Sequence, residues 1–413
     1  MLNKSILSWS LRILVVAICA VSTVQWIRWS TADWLASTGK GEDFERALKI
    51  DPGNEALLAS TAIFRSDNGD PSPVVDEELR RAASMNPEDS GVLMALGLRK
   101  EFQGKDAEAE IYLTHAAEID HQFKPSWTLA NYYYRANQPD KFWAMIERCL
   151  KLDPFGFDPT PVFDLAWNET GDSGKILSVI PKAGSLPIQY LNYLINTRRV
   201  DAAAEAWPVA FAAARNLSPT DRAGLTGFPD FLEQNDHVPE ATKAWNQMVD
   251  GGVITSGRLD PETGKSIADP DFRFPLLDRV FGWRVARDAG VSPAISSGAL
   301  RFELDGNEPE SVRLLYTIAP VVPGRQYRLV WKSDGTNLSS PVDAGFAFRI
   351  VQRPGDKATE CPLLTSGPGT MCEFGALSAS HEVRIELNYT RALGTTRAQG
   401  VLRISSVRLE FAS

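Results

Sequence analysis

The segment Ala82-Ala83-Ser84-Met85-Asn86-Pro87 recurs in variant form along the first half of the chain. The other copies are Ala47-Leu48-Lys49-Ile50-Asp51-Pro52, Ala116-Ala117-Glu118-Ile119-Asp120-His121 and Cys149-Leu150-Lys151-Leu152-Asp153-Pro154. A period of about 34 residues, with each helix ending at Asp or Asn before a turn, is typical of a solenoid of helical hairpins. Such solenoids form extended binding surfaces, so the repeat favours a scaffold over an enzyme.

The charge of the chain is unevenly distributed. The 413 residues carry a net charge of -9, which argues against nucleic acid as the main partner. Residues 31–270 hold 23 basic and 37 acidic side chains, whereas residues 271–413 hold 17 basic and 15 acidic ones. An acidic solenoid is therefore followed by a nearly neutral C-terminal part.

The N-terminus contains an apolar run at residues 13–27, preceded by Lys4 and Arg12. Trp9, Trp26 and Trp29 flank this run, as interfacial aromatic residues do. The run is long enough to span a membrane when counted from residue 6. We expect residues 1–30 to be an uncleaved single-pass anchor in the inner membrane, with the remaining chain in the periplasm. A cleaved signal peptide and a cytosolic protein are the alternatives.

The best repeat, residues 90–121, has a pattern of large and small apolar residues. It comprises Leu93, Leu96, Gly97, Ala109, Leu113 and Ala116. Here the chain resembles the tetratricopeptide repeat family, over about residues 41–155 and in degenerate form to about 250. The resemblance implies an α-solenoid over residues 31–250 that binds protein partners. Trp127, Tyr132 and Tyr133 are the candidates for lining its groove, and packing between repeats is the alternative for them.

The amino-acid composition changes near Gly251. Residues 251–270 are rich in Gly, Asp, Pro and Ser and predict a linker. Residues 271–413 contain alternating apolar runs between turns, which predict an antiparallel β-sandwich. The phrases at residues 271–275 (DFRFP), 281–283 (FGW), 322–329 (VPGRQYRL) and 401–409 (VLRISSVRL) resemble carbohydrate-binding modules of the galactose-binding jelly-roll type. The predicted fold class is therefore multidomain α + β.

The resemblance to sugar modules directs attention to aromatic residues, because planar rings stack on sugars. Trp283, Tyr316 and Tyr389 are the candidates for glycan binding, and core packing is the alternative. Trp331 alternates with Tyr327 and Leu329, which predicts a core position. The acidic turn comprising Asp305, Asn307, Glu308 and Glu310 could hold calcium. A solvated hairpin turn is the simpler interpretation, so no metal is expected.

Cys361 and Cys372 delimit a loop rich in Pro, Gly, Ser and Thr. If this region is outside the cytoplasm, a disulfide that closes the loop is plausible. Cys19 and Cys149 lie in apolar or helical contexts, where a small buried side chain is the ordinary interpretation.

Motifs for catalysis are missing from the sequence. It contains no nucleophile elbow, phosphate loop, dinucleotide fingerprint or zincin motif, and its four histidines are scattered. We therefore expect a protein that is not an enzyme and that needs no cofactor. The leading hypothesis is a membrane-anchored scaffold for export or polymerisation of an exopolysaccharide, with a protein partner on the solenoid and a glycan on the sandwich. The alternative is a protein-only scaffold whose sandwich binds no glycan.

Overall fold

The computed structural model describes residues 2–152, 158–285, 290–296, 298–336, 338, 345–353, 357–363, 370–391 and 393–412. The repeat-closing Pro154 lies outside these residues. The chain forms two compact units, residues 1–180 and 181–413. The division falls within the region that the sequence assigns to one solenoid.

The first unit consists of helices that follow one another at repeat spacing. They are α1 (Leu2–Ser37), α2 (Gly41–Ile50), α3 (Glu55–Asp67), α4 (Pro73–Met85), α5 (Ser90–Phe102), α6 (Asp106–Ile119), α7 (Phe123–Arg135), α8 (Pro139–Lys151), α9 (Thr160–Thr170) and α10 (Ser173–Val179). Neighbours pack as antiparallel hairpins, with α5 against α6 and α7 against α8. The predicted tetratricopeptide-like hairpins are confirmed.

The crossing of α5 and α6 depends on Gly97. A Cβ atom at this position would lie 2.5 Å from Leu113 Cγ and 3.3 Å from the carbonyl oxygen of Ala109. Any larger residue would therefore push the two helices apart. Asp89 starts α5, because its carboxylate accepts a hydrogen bond from the Val92 amide at 3.1 Å. The small residues that the sequence places at the crossing occupy it.

Within the part of the chain that the structure describes, helix α1 has the length and composition of a membrane span. The stretch Arg12–Ser37 of α1 contains an apolar window with few charges, and none of that window is buried. An anchor and a signal sequence both have these properties. The observation agrees with an apolar N-terminal segment.

The second unit combines helices with a β-sandwich. Its helices are α11 (Leu186–Asn196), α12 (Val200–Ala214), α13 (Pro219–Arg222), α14 (Gly227–Gln234) and α15 (Val238–Asp250). Its strands are β1 (Arg284–Val285), β2 (Val291–Ser296), β3 (Ala299–Asp305), β4 (Ser311–Pro320), β5 (Gln326–Thr336), β6 (Phe346–Gln352), β7 (Lys357–Pro362), β8 (Thr370–Gly375), β9 (Glu382–Thr390) and β10 (Gln399–Phe411).

The strands form two antiparallel five-stranded sheets. The first sheet has the order β1-β4-β9-β6-β7 and the second has the order β2-β3-β10-β5-β8. Their inner faces enclose one apolar core, which contains Phe302, Tyr327, Trp331 and Phe348. The predicted sandwich and the predicted core position of Trp331 are confirmed. Tyr327, Leu329 and Trp331 all face the core because successive strand residues point to opposite faces of the sheet.

The segment between helices and strands is held firmly against α15. Asn246 donates a hydrogen bond to the Leu259 carbonyl at 2.7 Å and accepts one from the Leu259 amide at 2.8 Å. Trp245 donates to the Gly257 carbonyl at 3.2 Å. Asp260 and Lys265 form a short antiparallel bridge. Residues 251–270 have the polar, turn-rich composition of a linker, but contacts at Gly257 and Leu259 pack this segment against α15.

Cys361 and Cys372 form a disulfide. Cys361 belongs to β7 and Cys372 to β8, which are edge strands of different sheets. The bond therefore joins the two sheets along one side of the sandwich. Such a bond persists in an oxidising compartment.

Candidate binding surfaces

Two of the three aromatic residues predicted for the solenoid groove, Tyr132 and Tyr133, pack between repeats. Tyr132 and Tyr133 are buried, and their hydroxyls donate to the Asp106 carbonyl at 2.9 Å and to Glu110 Oε1 at 3.2 Å. Burial raises the pKa of both phenols, so each remains a neutral donor. Trp127 is half-buried and stacks on Phe123 at 5.8 Å. The two tyrosines connect α7 to α6, whereas Trp127 stacks within its own helix and is the one of the three that a partner can reach.

A different surface of the solenoid is apolar and open. The side chain of Phe102 is 90% exposed and that of Leu98 is 38% exposed, both at the end of α5. They border a cleft of about 380 Å³, which is lined by Ser66, Asp67, Gly69, Asp70, Pro71, Leu98, Arg99, Phe102 and Gln103. We call this cleft the Phe102 cleft. The sequence signal for it is a large apolar residue just before the helix-ending Gln103-Gly104.

The floor of the Phe102 cleft is fixed by ionic contacts. Arg99 pairs with Asp76 and donates to the carbonyl oxygens of Asp70 at 2.7 Å and Ser72 at 3.1 Å. A hydrogen bond from the Ser72 amide, followed by one from Arg65, lowers the pKa of Asp70. The ionised groups hold the α3–α4 loop against α5. The cleft therefore presents an apolar rim on a rigid polar base.

Two of the aromatic residues predicted for sugar binding lie in the sandwich core. Trp283 is 4% exposed, and its indole donates to the Asp269 carbonyl at 2.7 Å. Tyr389 is 1% exposed, and its hydroxyl accepts from the Ala398 amide at 3.0 Å. Burial raises the pKa of the Tyr389 phenol. A sugar cannot stack on either ring while the core is closed.

Tyr316 lies on the outer face of the first sheet. It is half-buried between the guanidinium groups of Arg284 and Arg313, which lie 5.4 and 4.2 Å from its ring centre. Its hydroxyl accepts from Arg284 Nη1 at 3.3 Å. Across the strand pair, Tyr316 is opposite Glu386 and Arg313 is opposite Asn388. We call Arg284, Arg313, Tyr316, Glu386 and Asn388 the Tyr316 patch.

The Tyr316 patch is charged at neutral pH. Burial acts to raise the pKa of Glu386, but the Arg313 hydrogen bond and the Arg384 charge outweigh it and lower the pKa. Arg313 Nη1 lies 3.1 Å from Glu386 Oε1 and Arg384 Nε lies 2.6 Å from the same oxygen. Arginine forks that are held in place in this way suit carboxylate and phosphate groups of a ligand. Because the guanidinium groups of Arg284 and Arg313 both lie over the Tyr316 ring, a ligand can stack only on the part of the ring that they leave uncovered.

The acidic turn after β3 does not gather ligands for a metal. Asp305 Oδ1 accepts from the Asn307 amide at 2.9 Å, and Glu310 pairs with Arg391 at 2.6 Å. Glu308 is fully buried, so it is not part of a solvated turn. Among the described residues, no group of three or more His, Cys, Asp or Glu side chains could hold an ion.

A second cleft, of about 470 Å³, lies between residues 257–274 and β10. Asp271, Arg273, Arg408 and Arg258 of its lining all take part in ion pairs. Asp271 accepts from Arg408 at 2.8 Å and from Ser406 at 3.1 Å, and Arg258 pairs with Asp250. The Asp271 contacts hold the segment against β10, and the Arg258 pair holds it against the end of α15.

No protein family model matches the chain. The human antiviral innate immune response effector IFIT1 is 28% identical over 119 residues, which are 27% of this chain and 25% of that protein. The chain therefore matches about a quarter of the length of that relative.

Two solved structures illustrate the likeness in fold. YrrB, a TPR protein with an unusual peptide-binding site, is 11% identical and covers 51% of this chain and 93% of its own, with a TM-score of 0.26. A CBM4 structure is 11% identical and covers 36% of this chain and 100% of its own, with a TM-score of 0.28. The surfaces described above rest on the residues of this chain.

Proposed function

We propose that the protein is a membrane-anchored scaffold without catalytic activity, whose helical repeats bind a protein partner outside the cytoplasm. The Phe102 cleft is the observation that carries this proposal. A partner that covers Phe102 and Leu98 would remove their apolar surface from water, which favours binding. The anchor, the disulfide and the sandwich suit a role in the cell envelope. Assembly or export of an exopolysaccharide is the process that we propose for it.

The Phe102 cleft leads to a binding prediction. We expect Phe102→Ser to weaken partner capture by the full-length chain about 10- to 100-fold, because burial of a phenylalanine contributes about 1.5–3 kcal/mol. The measurement is co-purification from producing cells after mild cross-linking, quantified by mass spectrometry. Ile111→Ser is the matched control, since Ile111 is exposed on α6. Equal partner recovery from both variants would refute the role of the cleft.

A glycan is the second ligand that we propose, and the Tyr316 patch supports it. We expect Arg313→Gln to weaken binding of the producer's exopolysaccharide at least tenfold, because a hydrogen bond to a charged group contributes about 1.5–3 kcal/mol. Arg328→Gln is the control, since Arg328 pairs with Glu373 on the second sheet at 2.7 Å. Affinity is measured by calorimetry on the full-length chain.

The buried positions of Trp283 and Tyr389 favour the alternative, a protein-only scaffold. In that case the wild-type chain shows no retention on the polysaccharide, and Arg313→Gln changes nothing. The sandwich then has a structural role, and the Phe102 cleft carries the function by itself.

A further inference from the structure

Helix α1 is longer than a membrane requires. It runs without interruption over 36 residues, Leu2–Ser37, and its sequence contains neither glycine nor proline. At 1.5 Å per residue it is about 54 Å long. A hydrocarbon core of about 30 Å takes up roughly 20 residues. About 24 Å of the helix therefore extends beyond the hydrocarbon core.

The far end of α1 is a structural part of the repeat array. Ala32 is fully buried against Ala47 and Leu57, and Leu35 packs on the same cluster. Arg28 Nη2 donates to the Ile50 carbonyl at 2.6 Å, at the end of α2. The last turns of α1 and the whole of α2 thus form the first hairpin. The span and the array share one helix, with no linker between them.

The tryptophans show where the bilayer ends. Trp9, Trp26, Trp29 and Trp34 are exposed on α1, and Trp34 lies about 8 Å beyond Trp29 along the helix axis, on the side away from Trp9. Trp26 and Trp29 lie about 26–30 Å from Trp9 along the helix axis, which matches the hydrocarbon thickness. Tryptophan prefers the interface on both sides. Arg28, and with it the Ile50 carbonyl, therefore lies at the level of the second interface.

We propose that α1 is both the membrane anchor and the first helix of the repeat array, and that the α2–α3 turn, residues 51–54, rests on the lipid headgroups. The inference rests on the anchor proposed above. Helix α2 runs antiparallel to α1 over 10 residues, so its other end, at Lys40, lies about 15 Å farther from the bilayer. The array consequently has a fixed orientation on the membrane.

The test measures depth at two positions of the full-length chain in phosphatidylcholine vesicles. Gly53→Cys and Lys40→Cys, each combined with Cys19→Ser, carry the same fluorophore, and Cys149 is buried. A side chain at Gly53 meets no neighbour within 4 Å. We expect headgroup spin-labelled lipid to quench the label at 53 several-fold more than the label at 40. Equal quenching would overturn the inference.

A second variant tests the continuity of the helix. Insertion of Gly-Gly-Ser-Gly between Trp29 and Ser30 keeps the span but frees the array, so we expect the label at 53 to lose its additional quenching. If quenching stays unchanged, α1 does not set the orientation. Alkaline carbonate extraction tests the membrane anchor separately from the orientation of the array. Release of the wild-type chain refutes the anchor itself, whereas retention with equal quenching refutes only the orientation.

Discussion

Replacement of Trp245 by alanine is expected to lower the free energy of unfolding of the second unit by about 3–5 kcal/mol, the range for truncation of a buried tryptophan. Trp245 is fully buried on α15 and meets Phe281 edge to face at 5.6 Å. Its indole also donates to the Gly257 carbonyl at 3.2 Å. Because both partners lie beyond α15, the substitution removes contacts between the helices and the sandwich. Urea unfolding of the full-length chain measures the loss.

Trp207→Ala is the matched control for this prediction. Trp207 is buried among helices, where it stacks on Phe228 at 4.6 Å and on Phe211 at 5.4 Å. Its loss should cost a similar free energy but leave residues 251–283 in place. Limited proteolysis should therefore cut this segment faster in Trp245→Ala alone. A cost below about 1 kcal/mol, or equal cleavage in both variants, would contradict the interlocking role of Trp245.

The sequence pattern predicts those helices and strands whose packing partners are close to them in the chain. The hairpin of α5 and α6 follows from Gly97 and Leu113, which belong to consecutive helices and meet in one crossing. The strands are predicted from the alternation of apolar and polar residues. This alternation assigns residues to two faces, but it does not say which face packs in the core. Tyr389 shows this limit, because its neighbours on the inner face come from β6 and from the Ala398 loop.

The candidate surfaces depend on contacts that are distant in sequence. Tyr316 of β4 is placed by Arg284 of β1, and its strand partner Glu386 belongs to β9, far along the chain. Phe102 is exposed because no described helix covers the end of α5, which the amphipathic pattern alone does not state. Sequence therefore predicts the repeats and the sandwich, whereas the position of a binding surface needs the packed structure.

A buried pair of carboxylates should make the second unit less stable as the pH rises. Glu233 of α14 and Glu382 of β9 are both buried. Arg353 faces both, with Nη1 3.4 Å from Glu233 Oε1 and 3.8 Å from Glu382 Oε1. Burial, and then the charge of Glu233, raises the pKa of Glu382 to about 8. Burial also raises the pKa of Glu233.

The sign of the effect follows from proton binding. Between the ordinary glutamate pKa, about 4.3, and about 8 the folded state holds a proton on Glu382 that the unfolded state has lost. The free energy of unfolding therefore falls as the pH rises through this window, by at most about 1.4 kcal/mol per pH unit for one proton. Other charged groups lie near this contact between α14 and β9. Asp230 pairs with Arg279 and Arg284, and the charge of Asp236 also acts on Glu382.

Glu382→Gln removes the charge and keeps the shape, so we expect it to stabilise the chain by about 1–2 kcal/mol at pH 8 and to flatten the pH dependence. Glu386→Gln on the same strand should do the opposite. Its carboxylate is held ionised by Arg313 and Arg384, and its loss leaves their charges without a partner. Thermal unfolding from pH 5 to 9 measures both. If the two variants shift stability in the same direction, the Glu233–Glu382 pair does not control the joint between α14 and β9. If Glu382→Gln stabilises the chain and Glu386→Gln destabilises it, the contact between α14 and β9 contributes less to stability as the pH rises.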